Sequence, residues 1–82
     1  MEKDKVIRHF MGIGYEPILN ENTGNVHISE ISNMEILISD HRILLHFPKT
    51  QLVDHRLSGF ANFNEVMDWI KKQYSNYQEL VK

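Results

Sequence analysis

From Val26 to Phe47 apolar and polar residues alternate with few interruptions. A period of two belongs to strands that bury one face. Asn20-Glu21-Asn22-Thr23-Gly24-Asn25 is a dense turn signal upstream, and Pro48, which cannot donate to a ladder, closes the run. The segment therefore reads as four antiparallel strands: Tyr15–Leu19, Val26–Ile31, Met34–Ser39 and Arg42–Phe47. A one-residue slip would turn every side chain over, so the register follows from which residues must share a face. A two-residue turn at Asp40-His41 pairs Ile38 with Ile43 and Ile36 with Leu45. A loop over Glu21–Gly24 pairs Leu19 with Val26 and Pro17 with Ile28, and a loop over Ile31–Asn33 sets Ile28 opposite Ile36. One apolar face results: Tyr15, Pro17, Leu19, Val26, Ile28, Met34, Ile36, Ile38, Ile43, Leu45 and Phe47.

Helical periodicity flanks the meander. Val6, Ile7, Phe10 and Met11 share a face of a helix over about residues 2–12, with Gly12 as its C′ residue. Asn62 and Glu65 have the spacing of a capping box. Phe63, Val66, Met67, Ile70, Tyr74, Tyr77 and Val81 then form the stripe of a helix that runs to about residue 80. For residues 48–61 there are two expectations: a short helix at 50–58 capped by Thr50 and ended by Gly59, or an ordered loop. The expected fold is α+β over a single domain, 1–82. It has an N-terminal helix, a four-stranded antiparallel β-meander and a long C-terminal helix packed on one sheet face.

Eighty-two residues leave room for one core. A chain this short buries roughly 60% of the surface it exposes when unfolded, and a substrate pocket would take up core it needs. Size thus leans toward binding, regulation or oligomerisation. There are no cysteines, which excludes disulfides, thiolate metal sites and a cysteine nucleophile. No apolar run approaches a membrane span, and the chain opens on Glu2-Lys3-Asp4-Lys5 rather than on an apolar leader. A cytoplasmic location, without a membrane partner, is the expectation.

The meander register places Glu16, Ile18, His27, Ser29, Glu35, Leu37, Arg42, Leu44 and His46 on the second face. Ile18, Leu37 and Leu44 together suit a covered or partnered face better than one meant only for water. His27, Glu35 and His46 are chemically able to ligate zinc, but they lack any ligand spacing. The preferred reading is a cross-strand Glu35–His46 pair, with no metal or cofactor. His41 and His55 are expected to be solvated. Asp54, His55 and Ser58 are close in sequence but lack the strand–elbow context of a nucleophile. Gly12-Ile13-Gly14 follows a helix, whereas a phosphate loop precedes one. No catalytic residue is assigned.

Charge is segregated along the chain. Between His9 and His41 there is no lysine or arginine, but there are five carboxylates: Glu16, Glu21, Glu30, Glu35 and Asp40. The net charge is −2, so a basic footprint over the whole domain is absent. Trp69 lies about 100° from Ile70 on the last helix, on the flank of its stripe. There it serves either as an interface anchor or as cover for the core edge. These features point to a small non-enzymatic protein-binding module, an inhibitor or regulator, that meets a protein partner with a basic surface. The partner-binding candidates are Glu16, Ile18, Glu21, Glu35, Leu37, Asp40, Leu44, His46 and Trp69. In size and architecture the chain resembles small inhibitors encoded by phages and mobile elements. Two alternatives remain: a nucleic-acid-associated regulator that uses the first helix and the 41–56 basic strip, and a homodimeric structural or accessory protein.

Overall fold

The computed structural model describes residues 1–31 and 34–80, and of 29–31 only the backbone. Helix α1 (Lys3–Gly12) leads into strands β1 (Ile18–Leu19), β2 (Val26–Ile31), β3 (Met34–Ile38), β4 (Arg42–His46) and β5 (Val53–Arg56). A 3-10 turn at Leu57–Gly59 and helix α2 (Phe63–Leu80) follow. The five strands form one antiparallel sheet in the order β1-β2-β3-β4-β5.

The α+β class, both helices and the meander are as expected. Observed pairs include Leu19 with Val26, Ile28 with Ile36, Ile36 with Leu45 and Ile38 with Ile43. The two-residue turn is closed by Ser39, whose N–H donates to the Arg42 carbonyl at 2.9 Å. Between Ile28 and Ile31 the β2–β3 register shifts, which lets Ile31 pair with Met34. Of the loop expected at 31–33, residues 32 and 33 lie outside the described residues, as does Val81.

The fifth strand is the main correction. The short helix expected over 50–58 is absent. Thr50 instead turns the chain by donating its hydroxyl to the Phe47 carbonyl at 3.1 Å, and residues 53–56 pair with β4. Strand formation there satisfies the outer edge of β4, whose N–H and C=O groups would otherwise lack partners. The first strand is also shorter than expected, two residues instead of five, and Leu19 stays 59% exposed. At the end of α1, Gly12 remains helical and Gly14 takes the positive φ, +100°, that reverses the chain.

Both helices pack on the same sheet face. Val6 and Phe10 from α1 and Val66 and Ile70 from α2 join Val26, Ile28, Met34, Ile36, Ile38, Ile43, Leu45 and Phe47 in one core cluster. Phe63 closes the helix–helix contact, stacking on His9 at 4.7 Å and meeting Phe10 edge-on at 5.1 Å. Farther along α2, Tyr77 stacks on Phe47 at 4.6 Å. The cap of α2 is Asn62, whose Oδ1 accepts from the Glu65 N–H at 3.0 Å. The Glu65 carboxylate reaches back to the N–H of Ala61 and not, as the capping-box spacing implied, to that of Asn62.

His55 departs from the solvated expectation. It alternates onto the core side of β5 opposite Ile43, and its ring lies 4.3 Å from Phe60 and 5.6 Å from Trp69. Gly59 makes room for it, since a Cβ there would come within 2.5 Å of His55 Cε1. Gly59→Ala is therefore expected to displace the imidazole from its aromatic neighbours and to destabilise the fold by about 1–3 kcal/mol. The readout is a lower urea midpoint at unchanged slope. An unaltered midpoint would mean that the ring moves aside without loss.

Candidate functional site: the uncovered sheet face

Alternation sends every second side chain of the sheet away from the helices. Across the middle of that second face, Ile18, His27, Leu37, Leu44 and Asp54 lie side by side on five successive strands. One row along, Glu35 pairs with His46, with His46 Nδ1 3.6 Å from Glu35 Oε2. At the other end of the strands Arg42 pairs with Arg56. The helices pack on the opposite face, so this one is left uncovered.

The face is slightly hollowed. A depression of about 270 Å³ is lined by His27, Glu35, Leu37, Leu44, His46 and Leu52 among others. Leu37 and Leu44 are half-buried at its floor, Leu52 stands 60% exposed at its rim, and Ile18, 59% exposed, lies beside His27 on the neighbouring strand. His27 Nε2 is buried there and has no hydrogen-bond partner among the described residues. A buried polar atom without a partner is destabilising unless something supplies a donor or acceptor.

The charges on and beside this face are of both signs. Glu16, next to Tyr15 and two residues before Ile18, is exposed at the β1 side. Arg42 and Arg56 occupy one corner of the face, on β4 and β5. Asp54 neutralises Arg42 through an Arg42 Nη1–Asp54 Oδ2 contact of 2.7 Å. Arg56 and Glu16 have no ion pair among the described residues. Like charges directly opposite each other on neighbouring strands repel, so the Arg42–Arg56 pair leaves one guanidinium wanting an anion.

The sequence-derived candidates thus separate into groups. Ile18, Glu35, Leu37, Leu44 and His46 come together on the second face, whereas Glu16 is exposed in the segment that leads into β1. Glu21 is exposed in the β1–β2 turn at the sheet end. Asp40 sits at that same end, but it faces Lys3 of α1 at 3.1 Å, and Lys3 also donates to the Gly24 carbonyl. The acidic end of the meander is therefore partly neutralised by the first helix. Trp69 does not belong to the site, because it covers the core edge on the helix side, against Phe60 at 5.8 Å. His27 and Arg42 lie on this face as the register required, and the pairing of β5 with β4 adds Asp54 and Arg56, with Leu52 just before them. For Asp54, Arg56 and Leu52 the sequence carried no signal without the fifth strand.

Other chemistry finds no geometric support. Asp54 and His55 are adjacent on one strand and so point to opposite faces, which removes the Asp54–His55–Ser58 arrangement. Among the described residues no group of three or more histidine, aspartate or glutamate side chains could hold a metal ion. The basic strip is also divided. Arg42 and Arg56 lie at one end of the second face, Lys49 follows the other end of β4, and Lys5 and Arg8 sit on α1 beyond the opposite face. Among the described residues no helix is long and apolar enough to cross a membrane. No protein family, curated protein or solved structure matches the chain.

Proposed function

We propose that this chain is a small non-enzymatic protein-binding module of the inhibitor or regulator type, and that the uncovered sheet face is its docking surface. What carries the reading is the middle of that face: Leu37 and Leu44 flanked by exposed Ile18 and Leu52, over the unpartnered His27 Nε2. An apolar patch ringed by charge is the usual anatomy of a protein interface, with a dry centre and a polar rim. Glu35 gives one side of the rim an affinity for basic protein surfaces.

The test is capture on the immobilised chain with Leu37→Glu beside the wild type, and Lys72→Glu on the solvent side of α2 as the control. A protein recovered in stoichiometric amount by the wild type and by the Lys72 variant, and lost by the Leu37 variant, supports the assignment. A charge at the centre of a docking surface is expected to weaken binding at least about thirtyfold, the loss typical of a disrupted hot spot. Capture indifferent to Leu37, or none, removes this face as the docking surface.

A further inference from the structure

We infer that the depression on the uncovered face takes an arginine side chain of the partner protein. The inference rests on the reading of that face as a protein-docking surface and names the chemistry of what docks there.

The lining selects the side chain. Its walls are aliphatic: Leu37 and Leu44 at the floor and Leu52 at the rim. Histidines aside, Glu35 is the only charged side chain among the described residues of the lining. Its Oε2 lies 3.6 Å from His46 Nδ1, beyond hydrogen-bond distance. His27 Nε2 is buried at the same place and has no partner among the described residues. An imidazole that carries its proton on Nδ1 offers Nε2 as an acceptor. Two acceptors without a protein donor are thus set in an aliphatic wall. A long apolar stem ending in a donor-only head fits that combination, which describes arginine and lysine. An acidic side chain would meet the charge of Glu35, and an aliphatic one would leave the buried nitrogen unsatisfied.

Spacing favours arginine over lysine. His27 pairs with Leu37, and Glu35 lies two residues from Leu37 on the same face, so His27 and Glu35 are diagonal neighbours about 7–8 Å apart at the backbone. A single nitrogen that bridges two acceptors at roughly 2.9 Å each spans at most about 6 Å. The ligand side chains also do not converge on a point, since among the described residues no group of three could hold a metal ion. A guanidinium donates from three nitrogens in a planar fork and so reaches acceptors that stand farther apart. Arg42 and Arg56 do not oppose it. They lie two rows from His46, about 13 Å along the strands at roughly 3.3 Å per residue, and exposed charges are largely screened beyond about 8 Å.

The measurement is a proton–nitrogen NMR titration of the full chain with a blocked glycyl-arginyl-glycine peptide. Saturable shifts are expected at the amides of Leu37 and Leu44, with a displacement of the His27 Nε2 resonance that marks the new hydrogen bond. The lysyl peptide should bind more weakly. The citrullyl peptide, which keeps the shape and loses the charge, should bind at least about tenfold more weakly, the worth of a hydrogen bond to a charged group. Glu35→Gln should weaken the arginyl peptide by a similar factor. His27→Phe should weaken it while raising the urea midpoint, because it removes a buried nitrogen that has no partner. The same unfolding curve shows that the variant is folded.

An arginyl peptide that gives no saturable shift overturns the inference. So does equal binding of the lysyl, citrullyl or a tyrosyl peptide, or binding indifferent to Glu35→Gln or to His27→Phe. The docking reading fails separately. A chain that captures a protein through Leu37 but takes no arginyl peptide loses only the arginine, whereas a chain that captures nothing loses both.

Discussion

Replacing Phe10 with alanine is expected to remove about 3–5 kcal/mol of folding stability, the range for deleting a buried phenyl ring. Phe10 has no solvent exposure and touches the rings of Phe63 and Tyr15. Only Val6 and Phe10 of α1 are buried, so this one ring carries most of the attachment of the helix. At roughly 0.05–0.15 kcal/mol per residue, a domain of this length holds about 4–12 kcal/mol in total. The loss therefore takes a large part of the total, and the variant should show a weakened near-ultraviolet circular dichroism signal and a much lower urea midpoint. Phe10→Leu, which keeps most of the volume, should cost less than about 1.5 kcal/mol. Equal losses from the two variants would mean that the ring's shape and aromatic contacts, and not its buried volume, hold the helix.

The second large effect separates two neighbours on β3. Ile36→Ala should destabilise by about 2–5 kcal/mol, because Ile36 is fully buried between Ile28 and Leu45 beneath the helices. Leu37→Ala should cost under about 1 kcal/mol in the isolated chain, because Leu37 faces the uncovered side, where little packs against it. Chemical denaturation of both variants reads the difference. The contrast tests the register itself, since a one-residue slip exchanges the two faces. If Leu37→Ala proves the costlier change, the faces are reversed and the docking surface proposed above is on the wrong side of the sheet.

Much of this architecture was legible because its signals are local and agree with one another. Alternation through Val26–Phe47, the turn residues at 20–25 and 40–41 and the stripe from Phe63 to Tyr77 each name an element, and each requires the same buried face. The fifth strand had no such signal. Val53-Asp54-His55-Arg56 contains one aliphatic residue, and its core-side partner to Val53 is a histidine. Those four residues are extended because β4 presents an unpaired edge beside them, and that edge exists only once the meander has formed. Leu19 shows the converse. Its place in the alternation is correct, but the core cluster formed by the helices does not extend over β1, so the residue remains exposed.

The site divides in the same way. Ile18, Glu35, Leu37, Leu44 and His46 were readable as one face from period and turn length alone. The electrostatics were not. The arginine- and lysine-free stretch implied an acidic surface, yet Lys3 from α1 reaches Asp40, and β5 brings Asp54 and Arg56 onto the face. A face of mixed charge replaces an acidic patch. By itself the sequence determined the faces of the strands and the helices that cover one of them, because side-chain direction along a strand or helix is a local geometric consequence of order. Only the tertiary structure decided which charges share a surface, because that depends on distances between segments far apart in the chain.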